Sequence, residues 1–176
     1  MPSLTGPLPA RAARPGPGPD PTITCHELAA VVSLALARGA RSIAVGSGRT
    51  PAALAGAEAL ARAWQACGGQ VTDTLTWPES AASWLRQARR FAAAPADLWV
   101  MTGPATGWAQ MTRRLLRSTP WRPDRTLATA AVGHPATLAL VGIHHLHGLA
   151  GADANGATWT ATDDGTGAAT GPGTPR

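Results

Sequence analysis

Arg41-Ser42-Ile43-Ala44-Val45-Gly46-Ser47-Gly48-Arg49-Thr50-Pro51 is the stretch from which the fold of this chain can be read. Ile43, Ala44 and Val45 form an apolar run too short for a helix and bounded by Gly46 and Gly48, which predicts a buried strand of a parallel sheet. Thr50 can accept from the first free amides of a following helix, and Pro51 suits its first position, where an amide hydrogen has no partner to lose. The stretch is therefore a strand-turn-helix joint. Such joints bring backbone N–H groups and the positive end of a helix dipole to the carboxyl edge of a parallel sheet, where open α/β folds hold their ligands. Ser47, Arg49 and Thr50 are the first candidate binding residues.

Upstream, Thr24-Cys25-His26-Glu27 has the form of a capping box, followed by Leu28, Val31, Val32, Ala35 and Leu36 at helical spacing, with Gly39 as a stop. Downstream, a helix carrying Leu54, Leu60 and Trp64 should end at Gly68-Gly69. Val71, Leu75 and Trp77 alternate with Thr72, Thr74 and Thr76, as in a strand near a sheet edge. A third helix is expected from Glu79 to about Ala94, with Trp84, Leu85, Ala88 and Phe91 inward. Leu98 to Met101, apolar without alternation, predicts a central strand covered on both faces.

The joint logic then recurs twice. Gly103-Pro104-Ala105-Thr106-Gly107 leads into a helix striped by Trp108, Met111, Leu115 and Leu116, with Thr106 as the expected cap. Leu127 to Val132 is expected as a fourth strand, Gly133-His134-Pro135 as the third joint, and Ala136 to Val141 as a short helix. Leu146 to Leu149 would begin a last edge strand. Strand and helix alternating through one polypeptide imply an α/β fold: a three-layer, doubly wound parallel sheet with right-handed crossovers, in the flavodoxin-like order 2-1-3-4-5.

A length of 176 residues suits one domain with a real core. Residues 1–21, rich in Pro and Gly, are expected to be a disordered leader, residues 22–150 the α/β lobe, and 151–176 a flexible Gly/Thr-rich tail. The start has no apolar signal-peptide core and no run approaches a membrane span, so the chain as written is expected to stay in the cytoplasm where it is made. All fifteen basic residues are Arg, giving a formal charge of +5. They are scattered over helices without an aromatic-rich basic stripe, which argues against a nucleic-acid partner.

Cys25 and Cys67 have neither CxxC spacing nor a disulfide framework. Gly46-x-Gly48 followed by Asp73 mimics part of a dinucleotide fingerprint, but Pro51 stands where the third glycine belongs. Of His144, His145 and His147, only the last two could share a face of a strand, with no carboxylate or cysteine close in sequence, a poor set of metal ligands. No nucleophile-elbow frame is present, since Gly46-Ser47-Gly48 lacks G-x-S-x-G. Neither catalysis, nor a metal, nor a cofactor is expected.

Taken in sequence, these features resemble the second lobe of the type I periplasmic substrate-binding proteins of ABC transporters, the leucine/isoleucine/valine-binding kind above all. The resemblance runs through Arg41-Ser42-Ile43-Ala44-Val45, Ala66-Cys67-Gly68-Gly69-Gln70-Val71, Thr76-Trp77-Pro78-Glu79-Ser80, Pro95-Ala96-Asp97-Leu98-Trp99-Val100, Gly107-Trp108-Ala109-Gln110-Met111 and His147-Gly148-Leu149. It implies a lobe that holds a small amino-acid-like solute against a second lobe, with an ABC permease as the further partner, in a family whose members are usually exported. Only one lobe fits this length, so the chain resembles a truncated or split member. The ligand-facing segments carried over are Gly103, Pro104, Ala105 and Thr106 after the third strand, and Gly133 and His134 after the fourth. Where amino-acid binders of this kind often place a carboxylate and an aromatic side chain, this sequence has His134 and Pro104-Ala105. An α/β domain without ligand, and a small nucleotide-binding enzyme, are the alternatives.

Overall fold

The computed structural model describes residues 22–168; the expected leader and the last eight residues lie outside them. Helix α1 (Cys25–Ala37) opens on the capping box: Thr24 Oγ1 accepts from the Glu27 amide and the Glu27 carboxylate accepts from the Thr24 amide. Strand β1 (Ser42–Gly48) and helix α2 (Pro51–Ala66) follow, with Thr50 accepting from the Ala53 amide as cap. Then come β2 (Gln70–Trp77), α3 (Leu85–Ala92), β3 (Leu98–Thr102), α4 (Ala105–Ser118), β4 (Thr126–Ala128), and two short helices, α5 (Ala130–Gly133) and α6 (Pro135–Ala139). Strands β5 (Ala150–Ala152), β6 (Thr158–Thr162) and β7 (Gly165–Ala168) complete the chain.

The strands form one sheet in the order β2-β1-β3-β4-β5-β6-β7. The first five are parallel in the expected 2-1-3-4-5 arrangement, with β1 directly beside β3. The last two are antiparallel. Helices α1 and α2 cover one face through Val31, Val32, Ala35, Leu60 and Trp64; α3, α4 and α6 cover the other through Phe91, Trp108, Met111, Leu115 and Leu138. Strand β3 is buried along its whole length, as its unalternating sequence requires.

Two glycines are dictated by aromatic rings. A Cβ at Gly46 would lie 2.7 Å from the Trp77 ring and 2.9 Å from that of Phe91, the edge-to-face pair that fills the α3 side of the sheet. A Cβ at Gly69 would lie 2.1 Å from the Trp64 indole, whose Nε1 donates to the Gln70 carbonyl at 3.0 Å. At the other end of the sheet, Asp97 Oδ2 accepts from the Arg41 and Ser42 amides and the Ser42 hydroxyl, tying β3 to β1.

Six expectations are corrected. β1 runs on through Gly46 and Gly48, because these glycines make room for packing rather than ending the strand. The third helix begins at Leu85, since Trp84 turns back to donate its Nε1 to the Pro78 carbonyl and leaves residues 79–84 irregular. β4 stops at Ala128, where α5 takes over, so Gly133 ends a helix and not a strand. The last parallel strand is Ala150–Ala152 and lies inside the sheet. The segment expected as a tail from residue 151 carries β6 and β7, with Trp159 packed over Gly133 and Gly151. His144 and His145 stand in a 3-10 turn (Ile143–His145) with ring centroids 4.0 Å apart, not on a strand.

Glu27 binds more than its own helix. Its Oε1 accepts from the Ala130 amide at 2.7 Å, joining the start of α1 to the start of α5. Burial pushes its carboxyl above the ordinary 4.5, against the pull of its backbone donors at Ala130 and Thr24. A carboxyl with a raised folded pKa contributes stability that is complete below 4.5 and is lost as pH rises through its folded value. Asp97, held below the ordinary 3.8 first by the Arg41 amide, has the opposite sign: its contribution is complete above 3.8 and fades as pH falls. Urea denaturation should therefore show Glu27→Ala less stable by roughly 2 kcal/mol at low pH, with two amides stripped of their acceptor. The downward slope of stability with pH above 4.5 should flatten in the same variant.

Candidate functional site

The carboxyl ends of β1 and β3 meet where two glycines touch. Gly103, at φ +129, passes so close to β1 that a Cβ on it would lie 2.7 Å from the Gly48 nitrogen, and a Cβ on Gly48 would lie 2.8 Å from Pro104 Cδ. Neither a left-handed backbone nor that clearance is open to a larger residue at Gly103. The first and second joints thus form one continuous ridge at the carboxyl edge. Around it, Arg49 is exposed and its Nε donates to Thr76 Oγ1 at 3.3 Å, while Thr50 caps α2. Pro104 is the cap residue of α4, Ala105 its first residue and Thr106 an exposed second residue. Thr106 is therefore not the cap expected of it.

The group that serves α4 comes from elsewhere. Glu79, in the irregular stretch after β2, reaches across β1 so that its Oε2 accepts from the Gly107 amide at 3.0 Å. A carboxylate at a helix N-terminus is favoured by both the free amides and the dipole. The reach exists because both neighbours lack side chains: a Cβ on Gly48 or Gly107 would meet the Glu79 carboxylate at 2.4 or 2.2 Å. Sequence reasoning placed Glu79 inside a helix; the signal that could have exposed it is the pair of glycines left over after turns are assigned.

The remaining predicted residues divide. Ser47 is 1% exposed. It lies on the β1 face of Ile43 and Val45, toward α1 and α2, and its hydroxyl does not open onto the edge. On that same face the Thr129 hydroxyl donates to Thr102 Oγ1 at 2.9 Å, beside a cavity of about 20 Å³ that Glu27 and Gly56 also line. Such a volume holds about one water, not a solute. Gly133 and His134 are carried away from the end of β4 by α5, and Gly133 is roofed by the Trp159 ring. His134 is exposed and its Nδ1 accepts from the Ala136 amide, capping α6.

The edge therefore offers backbone and two charged groups, Glu79 and Arg49, but no nucleophile paired with a base. Asp73 pairs with Arg90 in mid-strand on β2, opposite Ala44, far from where a ribose would lie over the first joint. Among the described residues no group of three His, Cys, Asp or Glu is placed to hold a metal ion, and both cysteines are exposed free thiols.

The dependence of α4 on Glu79 can be measured. Gly107→Ala should lower stability in urea denaturation by about 1–3 kcal/mol, the usual cost of an inserted methyl in a packed site. In a Glu79→Ala background most of that loss should vanish, because the clash is with the carboxylate. Additive losses would show that Gly107 is needed for something other than Glu79.

No protein-family profile matches the sequence, and no curated protein matches it. Solved structures do. The chain superposes on a putative branched-chain amino acid ABC transporter protein from Rhodospirillum rubrum with a TM-score of 0.60 at 18% identity, over 73% of this chain and 37% of that one. A substrate-binding periplasmic protein from Ralstonia solanacearum gives 0.59 at 15% identity, over 78% and 39%. An ABC-transporter solute-binding protein from R. palustris, solved with 4-hydroxybenzoate, gives 0.53 at 16%, over 61% and 30%. The chain thus spans well under half the length of each. Among the described residues no helix is long and apolar enough to cross a membrane. In its strand order, its layers and its superposition on these proteins, the chain has the fold of one lobe of a type I periplasmic binding protein.

Proposed function

We propose that this chain is a solute-binding lobe of an ABC-type uptake system, holding a small amino-acid-like solute at the carboxyl edge of its sheet, with no catalytic role. The observation that carries the reading is the ridge where Gly48, Gly103 and Pro104 converge, flanked by the N-termini of α2 and α4. It lies at the edge where open parallel sheets bind ligands. The solved proteins of like fold that are named as substrate-binding or solute-binding proteins support it.

On this reading Arg49, Gly103, Pro104, Ala105 and Thr106 face the solute from the ridge, with the exposed His134 at the flank, while Gly133, under the Trp159 ring, only holds the turn that presents His134. Thr50 supports them through the α2 cap, and Ser47 acts from beneath, inside the core. A second lobe closing over the solute would complete the site, as burial of most of a ligand's surface requires. An ABC permease is the partner such a lobe would serve.

A second reading, an α/β domain without ligand, is favoured by one observation: the N-terminus of α4 already receives a carboxylate of the chain itself. Calorimetric titration separates the two. Leucine or 4-hydroxybenzoate, each at millimolar concentration, should give saturable heat on the first reading. His134→Asn keeps an acceptor for the Ala136 amide and should leave the thermal midpoint in place while weakening any binding several-fold. No heat from either probe with the unaltered chain would sink solute binding by this lobe.

A further inference from the structure

The outer surface of α4 carries an unneutralised cationic groove. Gln110, Arg113, Arg114 and Arg117 recur at the spacing of a single helix face, opposite the buried Trp108, Met111 and Leu115. They line a concavity of about 520 Å³ whose walls are Trp84, at the head of α3, and Val141, beyond α6. A neighbouring concavity of about 280 Å³ shares Arg113, Arg117 and Val141 and adds His145. The first concavity is thus lined by three arginines and the adjoining one by two of them and His145, a clustering that the scatter of arginines along the sequence did not suggest.

No carboxylate lines either concavity. The ion pairs among the described residues lie elsewhere, at Arg62–Glu58, Arg90–Asp73, Arg122–Asp124 and His147–Asp163. Arg113 donates to the Leu140 carbonyl, which anchors its head at the groove wall without neutralising it. Arg113 and Arg114 each lie within one turn of Arg117, with Cβ atoms about 5–6 Å apart, so their like charges repel. The helix C-terminus offsets this in part for Arg117 alone.

We propose that this groove binds a phosphate-bearing small anion, of the diphosphate class. Its recess falls within the size of small-ligand sites. Forked guanidiniums match phosphate oxygens two at a time, and three of them with Gln110 can satisfy two linked phosphoryl groups. The site lies over the α3–α4 face and shares no residue with the carboxyl edge, so it neither requires nor competes with solute binding there.

Titrating the chain with inorganic pyrophosphate at low ionic strength should give one saturable site and raise the thermal midpoint, and affinity should fall as salt is added. Arg114→Gln/Arg117→Gln, which spares the Arg113 anchor, should weaken binding by about a hundredfold, tenfold for each guanidinium–phosphate hydrogen bond removed. Arg41→Gln/Arg62→Gln removes the same charge from other surfaces and should change affinity less than about threefold, as expected of charges that make no hydrogen bond to the ligand and act on it only through solvent. Equal losses in the two variants would reduce the groove to general electrostatics and overturn the proposal. So would tighter binding of citrate than of pyrophosphate, saturation by a DNA duplex with none by pyrophosphate, or no binding at millimolar pyrophosphate.

Discussion

The approach of Gly48 and Gly107 to the Glu79 carboxylate, and of Gly103 to the Gly48 backbone, is the constraint on which the working edge of this lobe depends. At each of these three glycines a Cβ would collide with backbone, with Pro104 or with the carboxylate itself. The carboxylate reaches the start of α4 across the end of β1, so β1, β3, α4 and the segment after β2 are locked together at one point. The interaction also sets the electrostatics of the edge. Negative charge from the chain itself stands at the N-terminus of α4, where a carboxylate ligand would otherwise be drawn. The exposed Arg49 is left as the cation of the rim.

A carboxylate also organises the opposite face of the sheet, below the surface. Glu27 begins as a local capping residue and ends as a long-range tie, because its second oxygen is free to meet the Ala130 amide. Its burial next to the hydroxyls of Thr102 and Thr129 gives the end of β4 a polar interior in an otherwise apolar layer. Both ties use an acid to satisfy a helix start, one at the surface ridge and one in the core. The two short helices after β4 are fastened in the same way, with Glu27 serving α5 and the His134 ring serving α6.

What could be read from the sequence was what is local or periodic. The caps at Thr24 and Thr50, the glycine stops after α1 and α2, and the order of the five parallel strands follow from short-range chemistry and the strand-helix alternation, and the structure has each of them. Glu79 was hidden because Pro78-Glu79 has the form of a helix start, and only the long-range position of Gly107 shows that the glutamate serves a different helix. β6 was legible in principle: Thr158, Thr160 and Thr162 alternate with Trp159 and Ala161, but the surrounding Gly and Asp dominated the reading of composition. The site was less legible than the fold. Ser47 and Thr106 have the right chemistry to bind a solute, but the first is turned into the core and the second is relieved of capping by a remote side chain. The arginine face of the groove follows from helical spacing within α4, but its walls at Trp84, Val141 and His145 come from other segments, which no spacing along the chain could announce.

Trp159 gives the order of synthesis a physical meaning. Its ring covers Gly133 and Gly151, and Ala161 both donates to the Leu149 carbonyl and accepts from the Gly148 amide. A chain emerging from the ribosome can pair β1 through β4 while these groups still lack their cover. Until residues 158–161 have left the exit tunnel, β5 has a bare edge and the α5 side of the core is open to water and to other nascent chains. The antiparallel strand that follows all five parallel ones is therefore the closing seam of the lobe, and the interval before it arrives is when the polypeptide is most exposed to aggregation.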